Sequence, residues 1–263
     1  MHFTKMQGLG NDYLYVYGNV PEKIADVCTR LSDRHFGAGS DGMIFISPSP
    51  VADFKMRIFN ADGSEAKMCG NGIRCVGKYV YEKGYTDKTR LRVETLSGIK
   101  TLSLRLIAGK VKQVSVDMGK AEVSKDITVA LENEEIVCTP VSVGNPHAVI
   151  FVNNAENAAV ATLGPQIEKS ELFPDGVNAE FAEIIGENAI RMRVWERGSG
   201  VTLSCGTGAC ATAAAAVSKG LCEYDKPITI TLDGGILEIT VSAEYKVTMT
   251  GPAETVYEGD AVC

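Results

Sequence analysis

The chain has 263 residues, room for one large domain or two ordinary ones, and its 45% hydrophobic content can fill a sizeable core. A net charge of −7 without any lysine- or arginine-rich stripe argues against nucleic acid or an anionic membrane as the main partner. No apolar run reaches transmembrane length, and the opening MHFTKMQGLGND lacks a signal-peptide core, so a cytoplasmic protein with no membrane association is expected.

In chain order, the first predicted helix runs from about Glu22 to Arg34. The alternating segment FKMRIF then reads as a strand. A polar loop leads from it to Cys69-Gly70-Asn71-Gly72, and a helix is predicted over Ile73 to Lys83, stopped by Lys-Gly. The strands of LRVETLSGIKTLSLRLI close the first half, and the boundary is placed near Asp117 to Ala121, giving domains 1–117 and 118–251. The second half has a helix near Glu156 to Lys169, a strand in IRMRVW, the step Cys205-Gly206-Thr207-Gly208, a helix over Ala209 to Lys219, and strands in ITITLDGGILEITVS.

The halves repeat. At an offset of 136 positions Cys69, Gly70 and Gly72 fall on Cys205, Gly206 and Gly208, MRIFN falls on MRVWE, and TLSG falls on TLDG. A looser match at 134 sets GLGND on SVGNPH. The expected fold class is therefore α+β: two pseudo-equivalent, strand-rich domains, each with one buried helix.

A cysteine at a helix start feels unpaired N–H groups and the positive end of the helix dipole, which predicts a thiol lowered to roughly 3.5 to 7.5. The glycines let backbone approach a ligand, and the exposed N–H groups can hold a carboxylate. Two such thiols flanking one carboxylate-bearing carbon could remove its proton from one face and return a proton to the other, inverting the centre without a cofactor. Cys28, Cys75, Cys138, Cys210, Cys222 and Cys263 show no such repetition and are expected in the core or on the surface.

Other readings weigh less. The cysteine spacings do not match a structural zinc site, so no metal is expected. The Gly37-x-Gly39-x-x-Gly42 pattern follows a helix rather than a strand, the wrong order for dinucleotide binding, and the variant beginning at Gly206 is separated from its strand by a polar loop. A cysteine hydrolase needs a base beside the thiol; of the three histidines only His147 lies in a suggestive loop, and one nucleophile leaves the second cysteine unexplained. A non-catalytic module that binds small acids stays open.

KMQGLGNDY, FNADGSEAKMCGNGIRC, SVGNPHAV, GVNAEF and VWERGSGVTLSCGTGACA, in that order, resemble the diaminopimelate epimerase family over nearly the whole chain. The resemblance implies a cofactor-free interconversion of LL- and meso-diaminopimelate, a small amino-acid substrate, in lysine and peptidoglycan synthesis. Cys69 and Cys205 are implied as the acid/base thiols. It also implies β-barrel-like sheets each wrapped around a central helix, a site in the cleft between domains, a C-terminal strand within about 252–263 returning to the first domain, and a homodimer. Carried over by motif, Asn11, Asn60, Asn145, Asn178, Glu196 and Arg197 contact substrate. Gly70, Asn71, Gly206 and Thr207 offer donors to the reacting carboxylate, and His147 and Glu196 assist the thiols. A racemase of another amino acid on the same scaffold remains the alternative. One departure stands out: where some members carry a glutamine after the Gly-x-Gly-x-Asp run, this chain has Gly42.

Overall fold

The computed structural model describes residues 1–262; Cys263 lies outside the described residues. The chain divides into two compact units, one made of Met1–Val116 with the chain from Gly251 onward, the other of Asp117–Thr250.

The first unit opens with a hairpin of His2–Gly8 and Asn11–Tyr17, turned by Leu9 and Gly10. Both turn residues have positive φ, 57° and 85°, the conformation that a two-residue hairpin turn needs to match the strand twist. The turn places Asn11 at the head of its strand. Helix α1 (Ile24–Ser32) then carries the chain to Gly42–Pro48, which pairs parallel with Asn11–Tyr17 and antiparallel with Phe54–Asn60. Helix α2 (Gly70–Glu82) follows, and Arg90–Thr95 returns parallel to Phe54–Asn60 before continuing as an antiparallel meander through Gly98–Ile107. The last strand, Glu254–Asp260, pairs antiparallel with the first, His2–Gly8.

The second unit repeats this plan. Pro146–Phe151 pairs parallel with Asn178–Gly186 across helix α3 (Val160–Glu168), and Asn178–Gly186 pairs antiparallel with Ala189–Glu196. Helix α4 (Gly206–Ser218) leads to Pro227–Leu232, parallel to Ala189–Glu196 and followed by its own meander. At the offsets of 134 and 136 positions the parallel pair Leu14–Met43 falls on the parallel pair Ala148–Ala179, so Tyr13 corresponds to His147 and Gly42 to Asn178.

Each unit is thus a strand-rich sheet wrapped around one central helix. In α2 every residue from Gly70 to Val80 is buried, and in α4 all but Thr207 from Gly206 to Val217 are. The alanine run of α4 suits this place, since strands can approach a helix of small side chains from several sides while burial by the hydrophobic effect is kept. Helix α2 admits two buried cations. Lys78 donates from Nζ to Val111 O, and Arg74 donates from Nε to Pro252 O, from Nη1 to Gly70 O and from Nη2 to Asn71 Oδ1, which ties the returning C-terminal segment to the helix.

Both central helices start three residues before the sequence pattern places them, at Gly70 and Gly206 rather than Ile73 and Ala209. Glycine has poor intrinsic helix propensity; the cysteine caps described next compensate. The five repetition-free cysteines among the described residues, Cys28, Cys75, Cys138, Cys210 and Cys222, are all buried.

Candidate active site

The two cysteine steps are built alike. Cys69 and Cys205 are the N-cap residues of α2 and α4, in extended conformation, and each Sγ accepts a hydrogen bond from the N–H three residues on: Gly72 N at 3.3 Å and Gly208 N at 3.3 Å. A sulfur here replaces the oxygen of an ordinary N-cap and satisfies one of the helix's orphan donors. The remaining N–H groups of the first turn form a site suited to an anion.

Around Cys69 the polar partners come from the hairpin. Its thiol donates to Asn11 Oδ1 at 3.2 Å, and Asn11 Nδ2 donates to Asp41 Oδ2 at 2.8 Å. Asp41 also receives the Asp12 N–H at 3.0 Å and Arg34 Nη2 at 2.9 Å, so the asparagine is held from behind. Buried Tyr13 stands against Cys69 and Asn11; burial first, then the neighbouring Cys69 sulfur, pushes its hydroxyl well above the usual tyrosine range. Beneath the helix start lies Ile44: a Cβ on Gly72 would meet Ile44 Cδ1 at 2.7 Å.

Around Cys205 the same positions carry different chemistry. Thr207 Oγ1 is 3.6 Å from Cys205 Sγ, and Asn145 Nδ2 donates to Thr207 Oγ1 at 3.3 Å. His147 Nε2 is 3.1 Å from Asn145 Oδ1, and His147 Nδ1 is 2.7 Å from Glu180 Oε1. Both side chains of this last pair are fully buried. A Cβ on Gly208 would meet Glu180 Oε1 at 2.7 Å, so glutamate stands here where Ile44 stands in the first unit.

The expected lowering of the thiol does not hold at Cys205. Burial, followed by the negative charges of Glu196 and Glu180, pushes it well above the ordinary range; the Thr207 hydroxyl and the Gly208 N–H pull the other way and lose. Magnitudes explain the outcome. A helix terminus contributes roughly 0.3–2 kcal/mol, whereas full burial of an ionisable group is worth up to about 3–5 pH units at 1.36 kcal/mol each.

Of the other predicted residues, Asn71 is buried and receives Arg74, and Asn60 Nδ2 donates to Ser64 Oγ at 3.0 Å. Asn178 Oδ1 accepts the Arg197 N–H at 2.8 Å, Arg197 Nη1 donates to Asp175 O at 2.6 Å, and Glu196 accepts from the Thr202 hydroxyl. The first unit therefore gathers Asn11 at Cys69, and the second strings Thr207, Asn145 and His147 together from Cys205. Three neighbours were missed by the sequence reading: Asp41, Tyr13 and Glu180. The offset of 134 that matches Asn11 to Asn145 also sets Tyr13 on His147, and Glu180, two residues after Asn178 on one strand face, was readable in GVNAEF. At Gly42 no side chain fits, because a Cβ would sit 2.0 Å from Phe59 O.

Among the described residues no group of three or more His, Cys, Asp or Glu side chains is arranged to hold a metal ion, and no helix is long and apolar enough to cross a membrane.

The family model for diaminopimelate epimerase matches residues 3–124 and 139–256. The chain belongs to the diaminopimelate epimerase family. It is 49% identical to a diaminopimelate epimerase of Acetivibrio thermocellus, over 99% of this chain and 98% of that one, and 47% identical to one of Bacillus subtilis, over 98% and 97%. Membership makes it an isomerase that acts on a small amino-acid substrate. The fold is shared more widely. A crystal structure of a hydroxyproline epimerase from Agrobacterium vitis superposes with a TM-score of 0.76 at 19% identity, covering 98% of this chain and 91% of that one. A phenazine biosynthesis protein of Bacillus anthracis gives 0.78 at 16%, covering 100% and 99%.

Proposed function

We propose that this chain interconverts LL- and meso-diaminopimelate in lysine and peptidoglycan synthesis, with Cys69 and Cys205 as the acid/base pair and no cofactor. The observation that supports this most is the matched cap: two cysteines, one per repeat, each bound by the third N–H of a central helix at the same 3.3 Å. In the proposed reaction one thiolate takes the α-proton and becomes a thiol, and the electron pair left on carbon spreads into the substrate carboxylate. The other thiol then gives its proton to the opposite face and becomes a thiolate. Charge growing on the carboxylate is met by the first-turn N–H groups of α2 and α4, among them those of Gly70, Asn71, Gly206 and Thr207.

The raised Cys205 thiol suits the proton donor in the free enzyme, which leaves Cys69 as the base for the direction that starts from that state. Glu196 is suited to the substrate ammonium and Arg197 to the distal carboxylate, as a two-pronged donor. Asn11, Asn60, Asn145 and Asn178 complete the contacts, and His147 assists Cys205. We further read the protein as a cytoplasmic homodimer that binds neither nucleic acid nor membrane. Phe36, Tyr257 and Val262, apolar side chains left exposed around one hollow of the first unit, support the dimer.

The test is a panel of LL-diaminopimelate and other L-amino acids in D₂O, with α-deuteration followed by NMR. Exchange and epimerisation of diaminopimelate alone are expected. Faster exchange of another amino acid would make the chain a different racemase, and exchange of none would leave a binding protein.

A further inference from the structure

The line from Cys205 to Glu180 ends in a carboxyl group with an unusual environment. Glu180 is fully buried, and its Oε2 has no hydrogen-bond partner. A buried carboxylate left half unpartnered is costly, and a carboxylic acid is less so. The groups that face Glu180 from the packed elements are His147, Cys138, Cys205 and Glu196. Burial, followed by the nearby Glu196 charge among the raising influences, moves the Glu180 carboxyl upward, against the pull of His147.

Two settings of hydrogen-bond polarity along the line differ in whether the Thr207 hydroxyl can donate to Cys205. In the observed one, Asn145 Nδ2 donates to Thr207, so Asn145 Oδ1 faces His147 Nε2, which must carry the proton. His147 Nδ1 then meets Glu180 Oε1 with one further proton shared between them. The Thr207 oxygen is already accepting, and its own O–H is free to donate to Cys205 Sγ. In the second setting the pair has lost that proton, Nδ1–H donates to an ionised Glu180, and Nε2 becomes an acceptor. The Asn145 amide must then turn over, and the Thr207 O–H is drawn to Asn145 Oδ1. Thr207 can now only accept, from a Cys205 S–H.

We propose that the His147–Glu180 pair is a proton reservoir coupled to Cys205 through Asn145 and Thr207: holding its extra proton, it supports the Cys205 thiolate, and lacking it, it supports the thiol. The proton moves between the pair and bulk water. Charge acts in the same direction as bond polarity, because neutralising Glu180 removes a negative neighbour from the sulfur. Glu180 is on this account a positioning residue acting through His147. Burial and the Glu196 charge keep Cys205 a thiol before it gives up its proton, and the observed setting, with the extra proton on the pair, then keeps the resulting thiolate satisfied.

The inference rests on the proposed acid/base role of Cys205, but its test needs no substrate. In E180Q the glutamine amide donates permanently to His147 Nδ1 and fixes the first setting. The pH profile of iodoacetamide alkylation, read by peptide mass spectrometry, is expected to move at Cys205 to a midpoint about one pH unit or more lower, with the Cys69 profile unmoved as the internal control. Adding T207V should remove at least half of that shift. In the unsubstituted protein, ¹⁵N NMR of the His147 ring should pass from the Nε2–H to the Nδ1–H form as pH rises, a reading that does not depend on any variant folding. A Cys205 profile unchanged in E180Q, a shift insensitive to T207V, or a His147 ring fixed as Nδ1–H throughout would each overturn the coupling. A protein that shows the shift but leaves diaminopimelate untouched would instead overturn the proposed function and leave the coupling standing.

Discussion

The two cysteine steps differ most where their surroundings, not their backbones, are compared. Each sulfur caps a buried helix through the same bond, yet Ile44 and Tyr13 surround Cys69 where Glu180 and His147 surround Cys205. A duplicated scaffold has kept the geometry of the helix start and diverged in the charges behind it. A helix N-terminus thus places a thiol without deciding its proton affinity: at Cys205, burial and two carboxylates outweigh the dipole. An inverting reaction needs such asymmetry, because at any instant one group must be acid and the other base.

The largest expected effect breaks the pair altogether. C69A or C205A should each lower turnover by at least about 10³-fold, measured as meso-diaminopimelate formed from the LL isomer; substantial activity in either variant contradicts the two-thiol reading. A milder probe ranks the two sulfurs without mutation. At neutral pH iodoacetamide should modify Cys69 about tenfold faster than Cys205, because Cys69 is the more exposed and Cys205 is held as a thiol. The Cys205 rate should climb as pH rises above 9, and equal rates at pH 7 would erase the proposed asymmetry.

The remaining predictions concern the frames that hold the two sites. Gly42 occupies the position that Asn178 fills in the second unit, and G42A should cost about 1–3 kcal/mol or more, read by chemical denaturation, since the new Cβ would press on Phe59 O. The smallest effect belongs to Asp12, whose carboxyl anchors the hairpin through Lys5 Nζ at 2.8 Å and Arg34 Nη2 at 2.7 Å. Burial would raise this carboxyl, but Arg34 and Lys5 together hold it below its ordinary range. A lowered group stabilises the fold above its unfolded value near pH 4 and loses that contribution as pH falls through its lowered value. D12N should therefore cost about 1–3 kcal/mol at pH 7 and progressively less towards pH 2, with a constant difference across that range counting against the ion-pair account.

Much of this was legible in the chain. The offset of 136 carries the internal repeat, and the alternation of FKMRIF and IRMRVW marks the strands that lead to each cysteine. The helix starts were misplaced because the glycines of each step argue against helix, and only the folded chain shows cysteine acting as the cap. The raised Cys205 thiol was not legible either. Its causes, Glu180 and Glu196, lie 25 and 9 positions away in sequence and come close only through strand pairing. Arg74 gives a similar lesson: CGNGIRC shows an arginine one turn into a helix, but not that its guanidinium is buried against a carbonyl from residue 252.

If two different sulfurs serve one carbon, the isotope content of early product must show it. With LL-diaminopimelate in D₂O, the first meso product should carry one solvent deuterium at the inverted centre while recovered LL substrate remains protonated there. Product that retains the original hydrogen, or substrate and product that gain deuterium equally from the start, would point to a single base and contradict the account.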